Sequence, residues 1–305
     1  GGGEEIRRVL PLGDRLVSFG ARTHVMGILN VTPDSFSDGG KYTSTTAAVE
    51  QACRMVEEGA TFIDIGGQST RPGADLLPPR TELDRVLPVL EALAKEPAIV
   101  GAGTVLSVDT FYGEVAREAV AAGSHLVNDV SGGGMDASML PTMGKMGKHA
   151  GYCLMHMRGD PRTMQNPENT AYTNVCDDVG DELWLAGEQA AAAGIEPWRL
   201  ILDPGIGFAK TNEGNMELLA GLGQMRRRLR GGALRRAPLL VGPSRKGFLG
   251  TLTGRDKERR DVATAAAAVV AVQAGADIIR AHNVSAVMDA VQVADAAYRR
   301  AAPSL

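Results

Sequence analysis

Residues 61–71 read TFIDIGGQSTR, an apolar run that stops at the polar residues Gln68, Ser69, Thr70 and Arg71. The same pattern occurs eight times along the chain, and each apolar run is of a kind that favours a β-strand. The predicted strands lie near residues 24–30, 61–66, 104–109, 125–129, 151–156, 199–203, 238–242 and 277–281. A (β/α)₈ barrel brings all eight strand ends to one rim and builds its active site there.

Helical patterns separate these strands. Residues 47–58 place three apolar side chains on one stripe, and Asn283 or Ser285 is predicted to cap the last helix. A glycine suited to a left-handed helix end follows four of the helices: Gly59, Gly123, Gly194 and Gly275. Val9 to Arg22 is predicted to form a hairpin that closes the bottom of the barrel. The predicted fold is therefore an α/β TIM (β/α)₈ barrel with a short N-terminal β-hairpin, and a doubly wound open sheet is the alternative.

The composition limits the class of function. The net charge of the 305 residues is −4 with mixed signs, which argues against general nucleic-acid binding. The basic cluster at residues 226–236 is predicted to complement the end of a helix. Cys53, Cys153 and Cys176 form no CxxC pair, so we expect reduced thiols in a soluble intracellular protein. No apolar run is long enough to span a membrane.

The domain organisation is predicted to be simple. Residues 1–8 are interpreted as a linker or as residues left from expression, and residues 9–305 as a single barrel domain. The chain does not begin with Met and shows neither a signal nor a transit pattern, so we expect a chain excised from a longer polypeptide or shortened by processing.

Three residues at the ends of the last two strands are candidate anion ligands. Lys246 lies in GPSRKGF, and Arg280 and His282 lie in RAHN. Barrels often bind phosphate after strands seven and eight, and these side chains suit a phosphate or diphosphate. Arg71, on the loop after the second strand, is expected to close over the same anion. The alternative is structural: a salt bridge for Arg280 and a helix cap for His282.

A second set of polar residues ends three other strands, at Asp109, Asn128 and Asp203. Burial of such groups without partners is costly. A carboxylate accepts hydrogen bonds, whereas an amide both donates and accepts them. Together they match a flat heterocycle with amino, ring N–H and carbonyl groups, as in a pterin. The alternative is a buried network that joins layers of the barrel.

Asn30 ends the first strand and is a candidate metal ligand. Its amide oxygen suits Mg²⁺ that also takes phosphate oxygens, although Asn30 would equally satisfy backbone groups at a turn. The sequence has no HExxH motif, paired CxxC or dense His cluster, which argues against zinc. His156 is predicted to be a structural residue at a strand end.

Two long loops rich in Gly, Pro and small polar residues follow the first two strands, at residues 31–43 and 66–79. Their length and composition favour mobile lids over an active site, and ordinary surface loops are the alternative.

Eight motifs, in order, resemble those of the dihydropteroate synthase family and cover the chain from His24 to Ala297. They are GILNVTPDSFSDGG from Gly27, IDIGGQSTRPG from Ile63, SVDT from Ser107, NDVSGG from Asn128, MHMRGDPRTMQ from Met155, LDPGIGFAK from Leu202, GPSRKGFLG from Gly242 and RAHNV from Arg280. The resemblance implies a TIM barrel that condenses 6-hydroxymethyl-7,8-dihydropterin diphosphate with 4-aminobenzoate, giving 7,8-dihydropteroate and diphosphate in folate biosynthesis. It also implies Mg²⁺ as cofactor and sulfonamides as competitors of aminobenzoate.

The resemblance implies roles for individual residues through their positions in the motifs. Catalysis is expected of Arg71, Lys246, Arg280 and His282. Pterin binding is expected of Asp109, Asn128, Asp203, Phe208, Gly242, Lys246 and Arg280. Diphosphate binding is expected of Asn30, which would also hold the metal, and of Arg71, Arg280 and His282. The aminobenzoate site is expected to include Phe36, Thr70, Arg71, Pro72 and Lys246.

Three features depart from the family pattern. Gln68 stands where many members have Glu, Gly247 stands where a bulkier or hydroxylated residue is frequent, and residues 96–105 form a longer segment than in compact bacterial members. The motifs resemble the plant-like form, in which the synthase follows a hydroxymethyldihydropterin pyrophosphokinase on one chain. A fused kinase and a mitochondrial location are therefore expected, and a chain without the kinase is expected in the cytoplasm.

A homodimer formed through late helices is also expected, with small-molecule substrates and no nucleic-acid or membrane partner. Two other functions remain open at this point. One is a methyltetrahydrofolate methyltransferase domain that serves a corrinoid protein and has no need of the diphosphate ligands. The other is a non-catalytic module that binds pterin or phosphate.

Overall fold

The computed structural model describes residues 8–32, 41–230, 232 and 234–299, with the backbone alone at residues 41–44. Within these ranges, the strands form an antiparallel hairpin and an eight-stranded parallel sheet. The hairpin consists of β1 (Arg8–Leu12) and β2 (Arg15–Phe19). The parallel strands are β3 (His24–Asn30), β4 (Phe62–Gly66), β5 (Val105–Asp109), β6 (Leu126–Asp129), β7 (Gly151–Met155), β8 (Leu200–Asp203), β9 (Leu240–Val241) and β10 (Ile278–Ala281).

The parallel sheet curls almost fully into a barrel. The strand order is β8-β7-β6-β5-β4-β3-β10-β9. Its two end strands meet through a bridge between Leu202 and Leu239, where the Leu202 amide donates to the Pro238 carbonyl at 2.9 Å. The predicted TIM barrel is therefore confirmed, and the open doubly wound sheet is wrong.

Helices alternate with the strands as the sequence predicts. Their bounds are α1 (Lys41–Glu57), α2 (Pro79–Leu93), α3 (Pro97–Gly101), α4 (Gly113–Ala121), α5 (Met139–Met146), α6 (Pro167–Thr170), α7 (Val175–Ala192), α8 (Asn212–Ala220), α9 (Leu222–Arg228), α10 (Gly247–Thr253), α11 (Asp261–Gln273) and α12 (Val284–Ala294). Short 3₁₀ turns lie at Gly147–His149, Pro197–Arg199, Leu234–Arg236 and Lys257–Arg259, and a π turn lies at Asp295–Arg299. The short helix α3 lies within residues 96–105, the segment expected to be longer than in compact bacterial members.

Helix ends follow the predicted signals. The four glycines all adopt left-handed φ angles: Gly59 at +102°, Gly123 at +112°, Gly194 at +91° and Gly275 at +103°. Such angles are strained for a residue with a Cβ, so these positions stop the helices before the next strand. At the start of α12, the Asn283 side chain accepts from the Ala286 amide at 3.1 Å, which settles the cap on Asn283.

The barrel strands are buried on both faces, as expected for a parallel sheet covered by helices. In β4, all five residues are buried, including Asp64 in an otherwise apolar run. The inside of the lower barrel is filled by a cluster in which Leu12 and Phe19 of the hairpin pack with Met26 and Phe62. The predicted hairpin is thus confirmed, and it closes the end of the barrel away from the loops that follow the strands.

Arginines at this lower end surround one buried carboxylate. Asp277 is fully buried, accepts from the Leu239 amide at 2.9 Å, and pairs with Arg8 and Arg226. Arg226 also donates to the Ala237 carbonyl at 3.0 Å. Three arginines of the basic cluster lie in the last turn of α9, as predicted: Arg226, Arg227 and Arg228. The anchoring of Asp277 by Arg226 was not predicted.

Cys53, Cys153 and Cys176 are free thiols. Among the helices of the described residues, none combines the length and apolar character that crossing a membrane requires.

Candidate functional site

A cavity of about 690 Å³ opens at the C-terminal ends of the barrel strands. Ten of the residues predicted from the sequence line it: Asn30, Thr70, Arg71, Pro72, Asp109, Phe208, Gly242, Lys246, Arg280 and His282. Asn128 and Asp203 are not in its lining but lie buried at neighbouring strand ends. Phe36 lies outside the described residues. The structure thus brings the cationic and carboxylate sets to one barrel mouth.

Arg280 joins the two sets. Its Nε lies 2.6 Å from Asp64 Oδ2 and its Nη2 lies 2.7 Å from Asp109 Oδ2. Burial alone would lower the pKa of Arg280, but the two carboxylates outweigh it and raise that pKa. Arg280 therefore makes the salt bridges of the structural alternative while its half-buried side chain still lines the cavity.

Asp64 was missed by the sequence analysis. It is fully buried in the middle of β4, accepts from Ser107 Oγ at 2.6 Å and from Asn128 Nδ2 at 2.9 Å, and pairs with Arg280. A buried carboxylate requires such partners. The signal was present, because Asp64 interrupts the apolar run FIDIG, although it lies inside the strand and not at its end as Asp109 does.

Asn128 and Asp203 combine fixed and open hydrogen-bonding atoms. The Nδ2 group of Asn128 donates to Asp64. Its Oδ1 atom is buried and has no partner among the described residues. Asp203 accepts from the Gly205 amide through Oδ1 at 2.7 Å, and burial raises its pKa. Asn128 therefore belongs to the buried network, and its Oδ1 is a buried acceptor without a partner among the described residues.

Lys246 stands between the two sets. It precedes α10, its Nζ donates to the Ile206 carbonyl, and that Nζ lies 4.0 Å from the centre of the Phe208 ring. Burial lowers the pKa of Lys246 to about 7, against the pull of Asp203. The ammonium is thus held at the cavity wall over an aromatic face.

His282, one of the candidate anion ligands, is neutral near pH 7. Burial, and then the neighbouring Arg280, lower its pKa to about 3. Its Nδ1 lies 2.9 Å from Ser244 Oγ, which also accepts from the His282 amide at 3.0 Å. If the Ser244 hydroxyl donates to Nδ1, the neutral ring carries its proton on Nε2 and can donate from that atom. The predicted helix-capping alternative for His282 is wrong, because Asn283 is the cap of α12.

The second loop presents Arg71 to the cavity. Arg71 is exposed, and its Nε lies 3.2 Å from Ser69 Oγ. Lys257 and Arg260, which the sequence analysis did not single out, also line the cavity. Burial, and then the charge of Arg71, lower the pKa of Lys257. The anion-binding side is therefore richer in cations than predicted.

Gln68 anchors the base of this loop. It is buried, its Nε2 donates to Glu82 Oε2 at 2.6 Å, and its Oε1 accepts from the Leu77 amide at 3.2 Å. Burial raises the pKa of Glu82 to about 8, and Asp109 adds to this effect. Gly247 lines the cavity and offers only backbone there.

Asn30 is the exposed last residue of β3 and lies in the cavity lining. Among the described residues, no group of three or more His, Cys, Asp or Glu side chains is placed to hold a metal. An ion here would take an oxygen from Asn30 and its other ligands from phosphate and water, and that donor set fits Mg²⁺.

His156 has the structural role predicted for it. Its Nε2 lies 2.9 Å from Glu182 Oε2. Its Nδ1 lies 3.1 Å from Lys210 Nζ, and Lys210 is a buried cavity residue that the sequence analysis did not identify.

Known proteins are similar to this chain in sequence and architecture. The family model described as "Pterin binding enzyme" matches residues 26–282. The mitochondrial folate synthesis bifunctional protein of Pisum sativum is 49% identical over 97% of this chain, but the chain spans only 57% of that relative. Dihydropteroate synthase of Synechocystis is 44% identical, and the match covers 95% of each chain.

A solved structure extends the similarity to the fold. Xanthomonas albilineans dihydropteroate synthase with 4-aminobenzoic acid matches with a TM-score of 0.83 and 40% identity, covering 97% of this chain and 100% of that chain. The chain therefore belongs to the pterin binding enzyme family and, within it, to the dihydropteroate synthases.

Proposed function

We propose that this chain condenses 6-hydroxymethyl-7,8-dihydropterin diphosphate with 4-aminobenzoate, forming 7,8-dihydropteroate and diphosphate. The observation that carries the proposal is the position of Arg280, which pairs with Asp64 and Asp109 and shares its cavity with His282 and Arg71. One side chain thus serves both the pterin and the diphosphate. The chain spans only about half of its bifunctional plant relatives, so this activity is proposed for the barrel alone.

The pterin is assigned to the carboxylate side of the cavity. The Asp203 carboxylate accepts from the amino and ring N–H groups, and the free Oδ1 of Asn128 is a further acceptor. Lys246 donates to the pterin from beside the Phe208 ring. Asp109 and Gly242 also line the cavity and are assigned to the pterin.

The diphosphate is assigned to the cationic side. Arg71, Arg280 and the Nε2–H of His282 bind its oxygens, and Lys257 adds charge. When the methylene carbon–oxygen bond breaks, its electron pair leaves with diphosphate, and these donors stabilise the growing negative charge. The cation left on the methylene is stabilised by the electron-rich dihydropterin, and the aromatic amine attacks it, with the displaced proton going to solvent or diphosphate.

Mg²⁺ is proposed to accompany the diphosphate, with Asn30 as its protein ligand. Bound there, it would neutralise phosphate charge as a Lewis acid. Among the protein groups, Asn30 would bind the ion, and the cations of the cavity would neutralise the remaining phosphate charge. Titration of the wild-type protein with Mg²⁺ and diphosphate, beside Asn30→Ala, tests the assignment by diphosphate affinity.

The aminobenzoate is assigned to the mouth of the cavity, which Thr70, Arg71, Pro72 and Lys246 all line. Arg71 matches its carboxylate, and the Gly247 backbone faces the same space without a side chain. Sulfonamides, which present a similar aromatic amine, are proposed to compete here. Phe36 remains a prediction.

One assay tests the function directly. The protein is incubated with pterin diphosphate, aminobenzoate and Mg²⁺, and diphosphate and dihydropteroate are both measured. Equal amounts of the two products, formed only with both substrates present, support the proposal. Pterin binding without diphosphate release would favour a non-catalytic module. Methyl transfer from methyltetrahydrofolate to a corrinoid would favour the methyltransferase, an alternative without support among the named relatives above.

A homodimer through the late helices is proposed as well. Val262 on α11 and Val293 on α12 are 84% and 68% exposed, and exposed apolar residues of this kind are common in interfaces. Analytical ultracentrifugation of the wild type and of Val262→Glu tests this. A dimer that the substitution weakens supports the late-helix interface, whereas a monomeric wild type contradicts it.

Fusion to a pyrophosphokinase and a mitochondrial location are proposed from the similarity to plant folate synthesis bifunctional proteins, two of which are named as mitochondrial. The full transcript, and imaging of the full-length protein in cells, test both points. A transcript that encodes the barrel alone would contradict the fusion.

A further inference from the structure

Lys210 is a buried lysine beside the cavity that the proposed chemistry does not use. Only 3% of it is exposed. Its Nζ lies 2.9 Å from the Phe208 carbonyl, 3.0 Å from the Gly205 carbonyl and 3.1 Å from His156 Nδ1. An ammonium has three N–H donors, and here each has one acceptor. Burial of the charge is thus matched by a complete set of hydrogen bonds.

The neighbours of Lys210 fit this arrangement. If Lys210 donates to His156 Nδ1, the imidazole carries its proton on Nε2 and donates to Glu182 Oε2 at 2.9 Å. Burial, and then Lys210, lower the pKa of His156 to about 4, so the ring is neutral. Burial would raise the pKa of Glu182, but its hydrogen bonds with His156 and Arg158 outweigh that effect and lower it to about 2.

The turn that Lys210 holds, residues 203–210, has an unusual backbone. Gly205 and Gly207 have φ angles of +69° and +83°, and Ala209 has a φ of +47°. A non-glycine residue in this region costs free energy unless its surroundings impose it. The two carbonyls bound by Lys210 lie within the turn. The hydroxyl of Tyr172 donates to a third carbonyl, that of Ala209, at 2.9 Å.

This turn forms part of the pterin side of the cavity. It begins at Asp203, its Ile206 carbonyl accepts from Lys246, and its Phe208 ring lies against the Lys246 ammonium. A Cβ on Gly207 would collide with the Lys246 side chain, so the turn and Lys246 are closely packed. A shift of the turn would therefore displace both Phe208 and Lys246.

We infer that Lys210 is a positioning residue for pterin binding: its three hydrogen bonds hold the strained turn 203–210 in the shape that places Phe208 and Lys246. The inference rests on the proposed function and deepens it. Lys246 borders both substrates, but the other described residues assigned to aminobenzoate lie on the loop at residues 68–72, which shares no hydrogen bond with Lys210. We therefore expect a smaller effect on aminobenzoate than on the pterin.

The charge on Lys210 gives the inference a pH signature. Burial lowers the pKa of Lys210 to about 7, Asp203 and Glu182 oppose this, and Lys246 and Arg158 reinforce it. The cluster also contains the neutral His156 and the hydroxyl of Tyr172. Above about pH 7 a neutral amine has one donor fewer, so one of its three acceptors loses its partner. The difference between the wild type and a variant without this amine should shrink as the pH rises.

The test compares Lys210→Met with Lys145→Met, a substitution of an exposed lysine on α5. Affinity for 6-hydroxymethylpterin is measured by calorimetry, and KM is measured for both substrates. At pH 6.5 we expect Lys210→Met to weaken pterin binding about tenfold or more and to change the KM of aminobenzoate less than about twofold. At pH 8.5 the loss should be smaller. Unchanged pterin affinity in folded Lys210→Met would overturn the inference.

A milder variant decides the case if Lys210→Met does not fold. Tyr172→Phe removes only the hydrogen bond to Ala209, and Tyr298→Phe is its exposed control. A loss of pterin affinity in Tyr172→Phe, without a comparable change for aminobenzoate, supports the inference, and equal pterin affinity in the two variants overturns it. A wild type that neither binds the pterin nor releases diphosphate would instead refute the proposed function.

Discussion

Arg280 Nη2 on β10 lies 2.7 Å from Asp109 Oδ2 on β5, across the two intervening strands β3 and β4. Its guanidinium also pairs with Asp64 on β4, so one side chain ties the last strand of the barrel to the carboxylates of the pterin side. Because Arg280 also faces the cavity, the two halves of one substrate would meet at this residue.

Asp64→Asn should impair catalysis while the barrel remains folded. The substitution keeps the shape but removes a buried charge that orients Arg280 and accepts from Asn128. We expect kcat/KM for the pterin diphosphate to fall about 100-fold, equivalent to about 2.7 kcal/mol. Steady-state kinetics beside Asp84→Asn, an exposed position on α2, provide the check. Activity within about twofold of wild type would remove Asp64 from the site.

Arg71→Ala and Lys246→Ala should each lose most turnover. Both remove a cation from the cavity, and loss of one such group commonly reduces kcat by about 100-fold or more. Diphosphate release is the measurement, with circular dichroism to verify folding. Arg80→Ala, at an exposed arginine on α2, is the matched control for Arg71. Near-normal turnover in either cavity variant contradicts the assigned roles.

Glu82→Gln should change the pH dependence of stability. The pKa of Glu82 is raised from 4.5 to about 8 in the folded protein. Its contribution to the free energy of unfolding is therefore fully present below about pH 4.5 and is lost as the pH rises to about 8. The variant should gain stability relative to wild type over this range. Thermal unfolding between these pH values, beside the exposed Glu91→Gln, measures the effect, and parallel curves would show that Glu82 is not perturbed.

Asp277→Ala should destabilise the protein without acting on the chemistry. The substitution leaves Arg8 and Arg226 without their buried carboxylate, and loss of one partner of such a pair costs about 3–5 kcal/mol. Urea unfolding beside Asp289→Ala, an exposed position on α12, gives the comparison. Because Asp277 lies at the closed end of the barrel, the folded fraction should keep its specific activity. A selective loss of activity with unchanged stability would contradict this account.

The fold could be predicted from the sequence because the same order recurs along the chain: a strand-forming run, a polar strand end, and a helix that stops before the next strand. Each of the four glycines expected to end a helix does so. The same logic, applied to the interior of a strand, would also have identified Asp64. It was overlooked because the polar residues were sought at strand ends.

Other parts of the site depend on contacts that sequence spacing does not reveal. Lys210 follows an irregular turn, and its three acceptors include His156, which is far away in sequence. The neutral state of His282 depends on burial and on the positions of Arg280 and Arg245. Such properties emerge only when the strand ends are brought together.

The central claim is that one cavity holds a pterin against its carboxylates and a diphosphate against its cations. A crystal structure with 6-hydroxymethylpterin, diphosphate and Mg²⁺ tests it most directly. We predict the pterin beside Asp203 and Asn128, and the diphosphate within hydrogen-bonding distance of Arg280 and His282. A pterin bound elsewhere on the barrel, or a diphosphate held away from Arg280, would contradict the claim.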